Sequence, residues 1–269
     1  MEIERIRPRP YGLCFTEAQF YDKDRNRKKA FQVAKCFVEE LFFGISKTCT
    51  KYINGVSWDL PYSFSERTLD GVIVPVLSKL CDSIVLTELP THRYSKKKNY
   101  EVEDSDGRID YWCIYQNYTF VIEMKHGIDT YKQDDKRTKV RKTVSDEWRT
   151  MNIQLNSLED EVMGYQEKTK GVIRLGLHFI TSRTLMRPTK DIINGFRNKD
   201  NIKKTMARFS KIGLSFKKSV PDLAICWNIP QSILEEYDKR TAHEGYTYPG
   251  FWVIAKIIDP LPHDGSRFR

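Results

Sequence analysis

Asp110, Glu123 and Lys125 are the side chains of this chain whose types and spacing point to chemistry. They lie in two short aromatic and β-branched segments, Gly107 to Cys113 and Thr119 to Lys125, separated by Gln116-Asn117. That pattern predicts the two strands of a hairpin. With the turn centred between Gln116 and Asn117, Asp110 falls directly opposite Glu123, about 5 Å away between Cα atoms and on the same face. Lys125, two residues beyond Glu123, shares that face. The other face carries Tyr111, Cys113, Phe120, Ile122 and Met124 and is apolar.

Two carboxylates and an amine on one patch of sheet suit a hard divalent cation. Mg²⁺ takes oxygen ligands, keeps several of its waters, and needs only one or two carboxylates from the protein. Asp110 and Glu123 repel each other without a cation or a proton between them, and a cation removes that penalty while binding phosphate oxygens. Lys125, about 7 Å along the strand from Glu123, can hold an attacking water or stabilise charge developing on phosphorus. The bland alternative is a cross-strand charge cluster, each contact worth roughly a few tenths of a kcal/mol. Against it stands the apolar setting, Trp112 to Ile114 and Phe120 to Ile122, where a desolvated carboxylate pair without a role is costly.

The elements that must hold these residues can be read in order. Phe31, Ala34, Phe37, Val38, Leu41 and Phe42 recur at helical spacing and predict an amphipathic helix from Arg27 to Phe43, after an irregular start. Thr48 to Tyr62, with Asn54-Gly55 and Pro61, reads as turn and short extended pieces. A second helix opens at Ser65, a cap residue, with Glu66 near the positive end of the dipole and Leu69, Ile73, Val76, Leu77 and Leu80 along one stripe. Glu66 sits at the edge of the core-facing side, and Pro75 predicts a kink or an early end. Ser83 to Leu89 reads as a strand carrying Glu88, and Tyr94 to Asp106 as a polar loop. Beyond the hairpin, Ser145 to Lys168 reads as a helix facing inward through Trp148, Met151, Leu155, Leu158 and Val162, with Gln154 beside that face. Val172 to Ile180 reads as a strand, Asp191 to Arg208 as helical in part, and Ala224 to Trp227 and Phe251 to Ile258 as late strands. These last two, with Asp222, echo the hairpin, but Ala255 and Ile257 stand where Glu123 and Lys125 do, so they read as buried strands that cannot bind a cation.

Gly107-Arg108-Ile109-Asp110 followed by Val121-Ile122-Glu123-Met124-Lys125 resembles the PD-(D/E)xK nuclease superfamily, with Ile109 in place of the proline that names the motif. The resemblance implies a restriction-endonuclease-like fold, α/β, with a core of helix, three strands, helix and strand over about residues 65–181. It also implies Mg²⁺- or Mn²⁺-dependent hydrolysis of nucleic acid, DNA rather than RNA. By position, Asp110 and Glu123 become metal ligands and Lys125 the catalytic lysine. Glu66 resembles the acidic residue that some members carry on the first core helix, with Glu88 a rival for that role. Gln154 resembles the polar residue that assists the site from the following helix in several branches. The alternative is a protein that keeps this fold as a nucleic-acid-binding or assembly module without turnover.

The rest of the sequence bounds the answer. At 269 residues we expect one domain, with an N-terminal helical segment and a C-terminal extension around the core. A net charge of +9 suits an anionic partner, and the basic runs, Lys96 to Lys98, Lys132 to Lys142 and Arg197 to Lys218, flank the hairpin. No apolar run reaches the length of a membrane helix, and the six cysteines lack zinc or disulfide spacing, so a cytoplasmic setting is expected. The five histidines lack metal-ligand spacing and read as structural or exposed. Lys125 and His126 are neighbours, and strand alternation turns His126 away from the site.

Overall fold

The computed structural model describes residues 3–4, 14–16, 29–55, 60–82, 84–96, 102–130, 137, 139–158, 169–184, 198–209, 211–212, 219–229 and 246–262. Among the described residues, four helices flank one mixed sheet. In chain order these are strands β1 (Ile3–Glu4) and β2 (Cys14–Thr16), helix α1 (Lys29–Asn54), a 3-10 turn (Pro61–Ser63) and helix α2 (Glu66–Leu80). Then come β3 (Val85–Lys96), β4 (Val102–Tyr115), β5 (Tyr118–Thr130), α3 (Lys142–Asn156) and β6 (Gly171–Thr184). Helix α4 (Lys199–Phe209), β7 (Leu223–Asn228) and β8 (Thr247–Pro262) complete the set. The spatial order is β1-β2-β7-β8-β6-β5-β4-β3, so six long strands are extended at one edge by two very short ones. Only β5 and β6 pair in parallel among the described strands, and α3 lies between them in sequence, as a parallel connection requires.

Each face of the sheet buries its own core. On one side Tyr111, Cys113, Phe120, Ile122 and Met124 pack under α1 and α2, as the alternation of the hairpin dictates. On the other, Ile109 and Val121 pack under α3 and α4 through Trp148, Met151, Leu155, Ile202 and Met206. Phe37 of α1 stacks on Phe120 with ring centroids 4.1 Å apart, which ties the longest helix to the site strand.

Several boundaries differ from the expectations. Helix α1 continues eleven residues past Phe43, from 43 to 54, through the stretch expected to be turn. The cause is a prolonged stripe: Ile45, Cys49 and Ile53 are buried at helical spacing beyond Phe42. The hydroxyls of Ser46, Thr48 and Thr50 donate to carbonyls four residues back, which satisfies polar side chains inside a helix. Asn54-Gly55 marks the helix end rather than a free turn. Helix α2 runs through Pro75 to Leu80. The expected loop from Tyr94 to Asp106 is largely strand, because β3 and β4 pair out to Lys96 and Val102. Pro90 lies within β3, tolerated because β3 is the sheet's edge. Two short strands occupy part of the start expected to be irregular. The parts of the expected helices at 159–168 and 191–197 lie outside the described residues.

Candidate active site

The hairpin turn is built as its residues suggest. Gln116 and Asn117 both have positive φ, 49° and 64°, the type I′ geometry that matches the twist of the flanking strands. The register follows from it, Tyr115 opposite Tyr118 through Tyr111 opposite Ile122. There the ladder stops, one rung short of the expected pairing of Asp110 with Glu123. Strand β4 stays on β3 while β5 follows β6 for its full length, so the two strands part at Asp110. Instead of a backbone rung, Oδ2 of Asp110 accepts the Met124 N–H at 2.6 Å.

The β3–β4 register also skips Asp110: Thr87 pairs with Tyr111 and Leu89 with Ile109. Glu88, opposite, adopts φ 53°, a left-handed conformation that lifts it out of the ladder. Asp110 therefore sits where the sheet opens on both sides.

Around that opening three of the expected residues meet. Lys125 Nζ lies 3.7 Å from Glu66 Oε1 and 4.0 Å from Asp110 Oδ2, and it donates to the Met124 carbonyl at 2.7 Å. Glu66 comes from the first turn of α2, Asp110 from β4 and Lys125 from β5. The ammonium is only 19% exposed and Asp110 21%, so these charges interact more strongly than surface pairs do. Burial pushes the Glu66 carboxyl above the usual carboxylate range; Lys125 opposes this, Asp110 adds to it, and the His126 backbone N–H opposes it.

Glu123 is fully buried, and by alternation it leaves β5 on the same side as Lys125 and Val121. Gln154 lies on α3, half-buried, and its Oε1 has no hydrogen-bond partner among the described residues. Glu88, the rival to Glu66, is turned outward: it pairs with Arg108 at 3.3 Å, both side chains more than half exposed. The His126 side chain leaves β5 on the opposite face from Lys125, its Nε2 within 2.9 Å of Thr181 Oγ1 and 3.2 Å of the Tyr62 carbonyl. In the echo, Lys256 pairs with Asp222 at 3.1 Å, and Asp222 Oδ2 accepts the Ile257 N–H. That arrangement clamps β8 to the start of β7, as buried strands would need.

Two of the three, Glu66 and Asp110, line a cavity of about 310 Å³ between α2 and the β3–β4 edge, together with Asp70, Glu88, Tyr111 and Met124 among others. Within it the Tyr111 hydroxyl donates to Asp70 Oδ1, and burial, then that bond, hold the phenol well above its usual range. Neither residue was singled out by sequence reading. The available signal was position: Asp70 is four residues past Glu66 on a helix, and Tyr111 follows Asp110.

The donor chemistry fits a hard cation, since carboxylate oxygens are what such ions take. The arrangement fits it less fully: among the described residues, no three His, Cys, Asp or Glu side chains gather where one metal ion could touch them all. Glu66, Asp110 and Glu123 thus do not form a closed three-carboxylate cage. No helix among the described residues is long and apolar enough to cross a membrane. Comparison of the chain with family models, curated proteins and solved structures gave no match.

Proposed function

We propose that the chain is a metal-dependent nuclease of the PD-(D/E)xK type, hydrolysing phosphodiester bonds in nucleic acid, DNA in preference to RNA. One observation carries this reading: the Lys125 ammonium lies within 4.0 Å of both Glu66 and Asp110, beside a cavity and on the strand that carries the buried Glu123. The order α2, β3, β4, β5, α3, β6 agrees with a restriction-endonuclease-like core. Asp110 and Glu123, with Glu66, would hold Mg²⁺ or Mn²⁺. The cation would neutralise the phosphate and acidify a bound water.

The chain's own groups do the rest. The Met124 N–H fixes the Asp110 rotamer, so the carboxylate is preorganised rather than free to turn. Lys125 orients the attacking water and stabilises the negative charge that grows on the non-bridging oxygens as the new P–O bond forms. Glu66 would complete the ion's oxygen ligands beside Lys125, and the proton that the water gives up passes to solvent. Gln154, on α3, would be the polar residue that assists the site from that helix.

A second reading, a nucleic-acid-binding module without turnover, is favoured by the lack of a three-ligand cluster among the described residues. Purified protein incubated with plasmid and with single-stranded DNA, plus Mg²⁺ or Mn²⁺, separates the two. Cleavage that Asp110→Ala and Lys125→Ala abolish supports the nuclease; tight, salt-sensitive binding without metal-dependent cleavage supports the module.

A further inference from the structure

We propose that Glu147 and the buried His178 form a pair that positions Lys125, an inference that rests on the nuclease reading for its effect on rate but not for its effect on the lysine. His178 stands directly beside Lys125 in the parallel register of β5 and β6, so both side chains leave the sheet on the α3 side. The imidazole is completely buried. Its Nε2 lies 3.1 Å from Glu147 Oε2, and Glu147, on the second turn of α3, remains partly exposed. The next residue, Trp148, stacks over the imidazole with centroids 6.4 Å apart and planes 20° from parallel. Its own ring is held by a 2.7 Å bond from Nε1 to the Ser219 carbonyl.

Gly127 shows that this pair is built into the strand. It lies two residues past Lys125 on the same face, and a Cβ there would overlap Glu147 Oε2 and come within 3.0 Å of His178 Nε2. Any side chain at 127 would push the carboxylate off the imidazole.

The pair also has a definite protonation pattern. His178 Nδ1 is buried with no hydrogen-bond partner among the described residues. With Nε2–H donating to Glu147, Nδ1 carries the lone pair; a second ring proton would be a buried donor with no acceptor. Burial pushes the imidazole pKa down, the Glu147 bond opposes this, and Lys125 adds to it. The charged and titratable groups facing the ring are thus Glu147 from α3 and Lys125 and His126 from β5. A neutral ring gives Lys125 a fixed wall without a competing positive charge, leaving its ammonium to Glu66 and Asp110.

Two variants test this, Glu147→Gln, which keeps shape and removes charge, and Gly127→Ala, which forces the pair apart. The readouts are the NMR resonance of the Lys125 ε-methylene and kcat and KM for Mg²⁺-dependent DNA cleavage. We expect the Lys125 resonance to move in both variants, kcat to fall about tenfold with KM little changed, as for residues that orient a site's primary groups, and Glu147→Asp to recover part of the loss. An unmoved Lys125 resonance in both variants, or a kcat that follows only the folded fraction, overturns the proposal. If wild type does not cleave DNA, the nuclease reading falls, and the resonance shift alone decides whether the pair positions Lys125.

Discussion

The backbone N–H of Met124 donates to Oδ2 of Asp110 across 2.6 Å, in the place where the next rung between β4 and β5 would form. A side chain thus ends the ladder and is itself fixed by doing so. Asp110→Asn keeps an oxygen acceptor for that N–H and removes the charge. We expect it to fold with nearly wild-type stability and to lose metal-dependent cleavage by about a hundredfold or more, the scale of removing one preorganised group. Asp110→Ala should lose activity equally and also cost about 1–3 kcal/mol for the donor left without its acceptor. Urea denaturation beside plasmid nicking checks both.

Lys125 is the one cation between Glu66 and Asp110 among the described pairs. Lys125→Met removes it while preserving most of the stem's packing. Cleavage should fall about a hundred- to a thousandfold. The Glu66 carboxyl, losing the contribution that opposes its upward shift, should titrate higher still, which carboxyl NMR would read.

Glu66 gives a pH dependence with a definite sign. Burial lifts its folded-state pKa above the unfolded value, so folding favours the protonated carboxyl. The stability tied to that group is present below the usual carboxylate range and lost as pH rises through the raised value. Glu66→Gln should therefore be more stable than wild type at pH 7 in chelator, and the advantage should vanish near pH 4. Adding Mg²⁺ at pH 7 should raise the Tm of wild type more than that of Glu66→Gln, because the ion binds the charged folded form. Calorimetry at the two pH values, with and without metal, checks this.

Glu88 and Glu66 line the same cavity, yet the structure separates them. The Glu88–Arg108 pair is exposed on both sides, so Glu88→Ala should change stability by no more than about 0.5 kcal/mol through the lost pair. Glu88→Gly should be neutral or stabilising, since the residue holds φ 53° and glycine adopts that conformation freely. Neither should alter cleavage, whereas Glu66→Ala should reduce it. Parallel assays of the three variants decide which acid belongs to the site.

Tyr111→Phe removes the donor to Asp70 in the wall of the cavity. It should cost about 1.5–3 kcal/mol, as for a bond to a charged partner, and so lower Tm while leaving KM for DNA little changed. Thermal unfolding and steady-state kinetics on one preparation check it.

The hairpin was legible because its determinants are local. Gln116 and Asn117 tolerate positive φ, and alternation on each side assigns Tyr111, Cys113, Phe120, Ile122 and Met124 to one face. Helix phase put Glu66 at the edge of the stripe that α2 buries, but only the family resemblance linked it to the site, since its meeting with Lys125 depends on how α2 packs against β5. The end of the β4–β5 ladder was not legible, because it depends on β5 staying with β6, a partner more than forty residues away in sequence. Helix α1 was read short because hydroxyl residues and Asn54-Gly55 resemble turn chemistry locally, and only the buried Ile45, Cys49 and Ile53 override it. The Glu147–His178 pair carries no spacing signal at all, since a helix and a strand are brought together by packing. Gly127 was its one trace, a small residue in the middle of a strand.

The parallel pairing of β5 with β6 also sets an order of events in time. Strands β3, β4 and β5 join by short connections and can zip early, bringing Asp110 near Met124. The neighbour of Lys125 on β6 arrives only after the chain has passed through α3 and closed a loop of 52 residues, from Lys125 to His178. Closing so long a loop is entropically slow. In refolding, hydrogen exchange should therefore protect the Gln116-Asn117 hairpin first and the amides around Lys125 and His178 last, so that any site built there becomes competent in the final step of folding.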